Sequence, residues 1–180
     1  MGLVLCMTAA LASASERNDL RPLPLDLETL QASWNAGYLQ AMSEPELRAG
    51  TGSRTYRLLW LRTFHHPVAV RITASAGQYQ LVATELDGAG GYAPGKVLRR
   101  KAHALTPEQF DRIEALIQDN GFWTLPQSDD QGGTDGSSWI IEAASDRHHL
   151  VSRWSPKSGP VRSIGEAMLA LTGWRYGEIY

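Results

Sequence analysis

Gly132-Gly-Thr-Asp-Gly-Ser-Ser-Trp-Ile-Ile-Glu-Ala-Ala-Ser-Asp-Arg-His-His-Leu-Val-Ser-Arg-Trp-Ser-Pro156 decides the fold. It opens on a glycine and aspartate turn, continues as an alternating strand, reverses, and returns as a second strand closed by a proline. A three-residue loop at Ser145-Asp146-Arg147 sets Ala144 opposite His148, Glu142 opposite Leu150, Ile141 opposite Val151 and Trp139 opposite Arg153. That register keeps Trp139, Ile141, Ala143 and Val151 on one face; a two-residue loop would mix Ile140 with Arg153. It also stacks Arg153 across from Trp139 as a cross-strand cation–π pair, and brings Glu142 onto one face with His148.

Upstream of this hairpin the same period of two recurs. Tyr56, Leu58, Trp60 and Arg62 alternate with Arg57, Leu59, Leu61 and Thr63. A second strand starts at Pro67, with Val68, Val70 and Ile72 inward and Arg71 and Thr73 outward. Ala76-Gly77 turns the chain into a third strand over residues 78–86, and a loop from Asp87 leads to a fourth over 96–102. Connections this short permit only an antiparallel meander.

Three helical patterns complete the chain. Leu27, Leu30, Trp34, Tyr38 and Ala41 recur at three to four residues, with Asp26 as N-cap. Ser43-Glu44-Pro45-Glu46 has the form of a capping box for one short turn. Thr106-Pro107-Glu108-Gln109 is the clearest helix start, with Leu105 and Phe110 placed as a hydrophobic staple and Gly121 as the stop. A last helix begins near Pro160, presents Val161, Ile164, Met168 and Leu171 to the core, and ends at Gly173. Segregated strands and helices give an α+β class, an antiparallel sheet of a four-strand meander plus a hairpin with helices packed on one side.

With 180 residues, 43% hydrophobic and 20% charged, the chain can bury the core of one domain, here residues 26–180. A formal charge of −2 gives no general attraction to nucleic acid or anionic lipid, so no nucleic-acid partner is expected. Residues 2–11 are nearly all apolar and Ala12-Ser13-Ala14 has the small-x-small form of a cleavage site. This predicts an export signal over 1–14, a polar linker over 15–25, and a periplasmic or secreted protein without stable membrane insertion after signal removal. The alternative is an apolar element of the domain itself, since no Lys or Arg precedes Arg17. The single cysteine, Cys6, lies in that segment, so neither a disulfide framework nor thiol chemistry is expected.

Catalytic signatures are weak. Gly88-Ala89-Gly90-Gly91-Tyr92-Ala93 satisfies G-x-G-x-x-A, but Pro94-Gly95 follows where a dinucleotide site needs a helix start, so a wide hairpin loop explains it better. Asp129, Asp130 and Asp135 supply too few oxygens at regular spacing for a calcium loop. Adjacent histidines on a strand, as in His65-His66 and His148-His149, point to opposite faces and cannot chelate together; no metal or cofactor is predicted. Candidate binding residues are Asp87, Asp135, Trp139, Glu142, Arg153 and Trp154, with the loops 87–95 and 132–138 meeting an unknown protein or small-molecule ligand. No catalytic residue is assigned. The competing enzymatic reading is a hydrolase with Glu142 or Asp135 as general base, which requires the two carboxylates to converge in a pocket.

Phe122-Trp123-x-Leu125-Pro126, Gly133-x-Asp135-Gly136-x-x-Trp139-x-x-Glu142 and Arg153-Trp154-Ser155-Pro156 together resemble a family of uncharacterised exported proteins of Gram-negative bacteria. The similarity runs from about Trp60 to Leu171 and takes in the 87–95 loop. It implies an exported protein and the grouping of these motifs, and implies no activity. Where the family pattern has Tyr-His, this chain has His148-His149.

Overall fold

The computed structural model describes residues 27–129 and 132–180. The expected export segment, the 15–25 linker, the cap at Asp26 and Asp130 of the acidic cluster lie outside them.

The elements are α1 (Leu27–Ala41), β1 (Arg54–Arg62), β2 (Val68–Ser75), β3 (Gln78–Leu86), β4 (Val97–Ala104), α2 (Pro107–Asp119), a 3-10 turn (Phe122–Thr124), β5 (Ser137–Ala144), β6 (His148–Trp154) and α3 (Pro160–Leu171). All neighbouring strands are antiparallel, in the order β4-β3-β2-β1-β5-β6. The hairpin therefore joins the meander along β1. Its register is the expected one, Trp139 opposite Arg153 and Ala144 opposite His148, and the three-residue loop is closed by Ser145 N donating to the Arg147 carbonyl at 2.9 Å.

One sheet face carries Tyr56, Leu58, Trp60, Val70, Ile72, Leu81, Trp139, Ile141 and Val151 against α2 and α3. The α2 start behaves as its sequence predicts: Gln109 N donates to Thr106 Oγ1, and the Gln109 side chain accepts from Thr106 N. Leu105 and Phe110 are both buried. Gly165 of α3 lies on Trp139, where an added Cβ would stand 2.6 Å from the indole ring, so a helix glycine permits close contact with a large buried ring.

Not every helix lies on that side. Tyr38 of α1 and Met42 just beyond it pack with Leu59, Leu61, Ala69, Leu86 and Ile140 on the opposite face. Periodicity shows that a helix has an apolar stripe, not which side of a sheet receives it. The result is that β1 is buried along nearly its whole length, including Arg57 at 3% exposure. Residues 43–46 form no helical turn; Ser43 takes φ 54° just beyond α1, and Glu44 and Pro45 are used by arginines of the sheet instead.

Candidate functional site

The two loops expected to bind do meet, and Thr63 joins them. Just past β1, Thr63 N donates to the Gly136 carbonyl at 2.9 Å, Gly136 N donates to Thr63 Oγ1 at 3.2 Å, and Gly91 N donates to the Thr63 carbonyl at 3.1 Å. Gly90 N donates to the Arg62 carbonyl at 2.8 Å. Side chains at these positions would not fit: a Cβ on Gly90 would stand 2.5 Å from Arg62 N, and one on Gly133 2.6 Å from Trp154 Nε1. The 87–95 loop closes on itself through Asp87 N to the Lys96 carbonyl and Ala89 N to the Ala93 carbonyl, so it is a wide hairpin loop rather than a phosphate cradle.

Between the loops lies an open groove of about 460 Å³. Trp34 and Gln31 of α1 form one wall, Tyr92 and the Gly90-Gly91 main chain another, and Trp154 with Gly133 and Thr134 the third; Leu61, Thr63 and Ser138 make the floor. Every lining residue is uncharged. Trp34 is 43% exposed and Tyr92 62%, unusual for large aromatic side chains that the same sheet could have buried. The walls are anchored: the Tyr38 hydroxyl donates to the Ala89 carbonyl at 2.9 Å, tying α1 to the 87–95 loop, and burial pushes its phenol pKa up. The Trp34 indole lies 3.4 Å from the Gly90 carbonyl, to which it donates.

Of the candidate residues, only Trp154 lines this groove. Asp87 closes its own loop by accepting from Lys96 N at 2.6 Å. Asp135 is exposed beside the groove. Trp139 is fully buried on the other face, under Arg162 at 4.8 Å. The expected stack on Arg153 does not form. Arg153 turns instead to the Pro126 carbonyl at 3.0 Å and to Asp129 at 3.6 Å, because the 122–127 strip runs beside β6, where Ser152 N donates to the Gln127 carbonyl.

Glu142 does pair with His148, at 2.7 Å, but inside a largely buried ionic network. Arg57 donates to Glu142 and, at 2.6 Å, to the Pro45 carbonyl; Glu44 stands 3.7 Å from Arg57 and 2.9 Å from Arg71. The second histidine, His149, faces the other way and bonds the Leu125 carbonyl at 2.9 Å. Asp135 precedes β5, and the five steps of strand from Ser137 to Glu142 span roughly 17 Å, with Glu142 at the far end beside His148, so the carboxylates of the hydrolase reading do not converge. Among the described residues no group of three or more His, Cys, Asp or Glu side chains is placed to hold a metal ion.

Of the residues lining the groove, sequence reasoning named the loop that carries Tyr92 but not that residue, and did not single out Trp34 or Thr63. The available signal was the glycine pair at 90–91: two consecutive residues without side chains mark a close main-chain approach, here to the end of β1. No protein-family model matches the sequence, and no curated protein matches it at a significant level.

Proposed function

We propose that the chain is a non-enzymatic binding protein, periplasmic or secreted, whose ligand seats in the groove between the 87–95 and 132–138 loops. The observation that carries this is the uncharged, three-aromatic lining of Trp34, Tyr92 and Trp154, held open by main-chain ties to Thr63. Flat rings, those of Trp34 and Tyr92 exposed and that of Trp154 half-buried, with a few hydroxyl and amide groups between them suit a neutral ligand held by stacking and a few hydrogen bonds. A charged ligand would meet no counter-ion in the lining and would lose solvation without compensation. The export reading is supported by the apolar 2–11 run and Ala12-Ser13-Ala14.

The test is a tryptophan-fluorescence titration with a panel of neutral oligosaccharides, uncharged capped peptides, and their charged counterparts. The expected result is saturable binding of a neutral member, weakened at least tenfold by Trp154→Ala and by Trp34→Ala. Binding restricted to charged members, or indifferent to both substitutions, would remove the groove as the site. Among the described residues no helix is long and apolar enough to cross a membrane.

A further inference from the structure

The two edges of the sheet are finished differently. Beside β6 runs the strip of residues 125–127, and Ser152 N donates to the Gln127 carbonyl at 2.7 Å. At the other edge β4 pairs with β3 alone. Leu105 N donates to the Tyr79 carbonyl at 2.9 Å, so by the alternation of an antiparallel ladder His103 and Lys101 also turn their main chain toward β3. The N–H and C=O groups of Arg100, Ala102 and Ala104 therefore point outward, and among the described residues no group bonds to them. All three residues are exposed and the strand contains no proline. Its one shift of register, opposite Glu85 and Leu86, lies at the Lys96 end and leaves residues 99–104 regular.

This open edge is basic. Residues 96–104 hold Lys96, Arg99, Arg100 and Lys101 and no acid, in a chain whose formal charge is −2. Glu85 neutralises Arg99, which also lies 4.1 Å from the Trp174 ring. Arg100 and Lys101 donate only to carbonyls, that of Met42 at 3.2 Å and that of Thr172 at 2.9 Å. Two adjacent charges are thus left uncompensated among the described residues, one on each face of the sheet. Next to them Val97 and Leu98 are 46% and 51% exposed. Past the other end of the strand opens an uncharged hollow of about 500 Å³, with Gly77, Tyr79, Ala104, Leu105 and Pro107 in its lining.

We propose that the outer edge of β4 receives an extended segment of a partner protein, added antiparallel as a further strand and carrying two adjacent acidic residues between apolar ones. The main-chain groups of Arg100, Ala102 and Ala104 supply the ladder bonds, and the two acids pair with Arg100 and Lys101 on opposite faces. Running antiparallel, the segment brings its N-terminal end to the hollow beside Ala104, where an apolar ring fits against Tyr79 and Pro107, and its C-terminal end past Leu98. A second copy of this chain is a poor occupant, because β4 against β4 brings the cations of both strands together with no acid between them. The charge that keeps copies apart attracts an acidic strand. This edge is separate from the aromatic groove and does not depend on it.

The experiment uses the full chain and the peptide Phe-Val-Thr-Val-Glu-Glu-Thr-Val, capped at both ends and carrying a neutral fluorophore at its C-terminal end, read by fluorescence anisotropy. The peptide should bind saturably, and roughly tenfold more weakly with Gln-Gln in place of Glu-Glu, since two charge-assisted pairs are lost. N-methylation of the valine that falls opposite Ala102 keeps the charge but removes a ladder donor, and should also weaken binding roughly tenfold. Ala102→Pro deletes an outward N–H and no bond to β3, so this variant should keep its thermal unfolding midpoint and lose peptide binding. Should it not fold, Arg100→Gln with Lys101→Gln should weaken binding roughly tenfold, as the Gln-Gln peptide does. No binding up to millimolar peptide would overturn the proposal. So would equal affinity for the N-methylated form, which marks charge attraction without strand addition, or equal affinity for the Gln-Gln form. A dimer in sedimentation that Ala102→Pro abolishes would assign the edge to a second copy and overturn it as well.

Discussion

Removing the Glu142 carboxylate should destabilise the fold, through Arg57. That guanidinium is 3% exposed and donates to Glu142 and to the Pro45 carbonyl. Breaking a buried pair by deleting one partner costs about 3–5 kcal/mol, because the remaining charge stays desolvated. Here Glu44 stands 3.7 Å from Arg57 and offsets part of the loss, but it is already shared with Arg71 at 2.9 Å. We therefore expect Glu142→Leu to cost about 2–4 kcal/mol, a large share of the roughly 5–15 kcal/mol that holds a domain together. Replacing both partners, Arg57→Met with Glu142→Leu, leaves the Glu44–Arg71 pair intact and removes the stranded cation. The double variant should therefore be more stable than Glu142→Leu alone. His148→Ala, by contrast, deletes a half-exposed partner and should cost under about 1 kcal/mol. Urea unfolding followed by circular dichroism of the unaltered chain, Arg57→Met, Glu142→Leu and the double variant closes the double-mutant cycle, with His148→Ala measured beside them. A loss below about 1 kcal/mol for Glu142→Leu, or additive behaviour of the pair, would refute the claim that Glu142 serves mainly to keep Arg57 compensated.

Further outcomes follow from single contacts. Gly165→Ala raises helix propensity by about 1 kcal/mol but sets a Cβ 2.6 Å from the Trp139 ring; overpacking of about 1–3 kcal/mol should prevail, lowering the thermal midpoint and altering tryptophan emission. Thr106→Ala removes the side-chain acceptor for Gln109 N and should cost about 1 kcal/mol in urea unfolding, with no change at the groove. Burial pushes the Tyr176 phenol up to about 12. Because the folded value lies above the unfolded value of about 10, its contribution is complete below pH 10 and is lost as pH rises through 12; Tyr176→Phe should flatten this alkaline decline in stability.

Strand alternation and the Thr106 capping box were enough to place the sheet, its hairpin register and α2, because both are local signals whose side-chain partners lie close in sequence. What escaped is set by contacts between distant segments. The alternation put Arg57 on one face with Leu59 and Leu61, yet only the arrival of α1 and of Glu44 on that face turns Arg57 from an exposed strand arginine into a buried one. Trp139 and Arg153 are opposite each other as expected, but register fixes neighbours and not side-chain direction. The carbonyls of Pro126 and Gln127 draw Arg153 outward, leaving the indole to Arg162 of a later helix. The candidate list divided for the same reason: a period of two sends Trp139 and Arg153 to one face and Glu142 and Trp154 to the other. A groove at the end of a sheet must gather its lining from loops and from whichever helix closes over them. Here that gathering depends on Thr63, a residue whose importance lies in bonds to Gly91 and Gly136, 28 and 73 positions further along the chain.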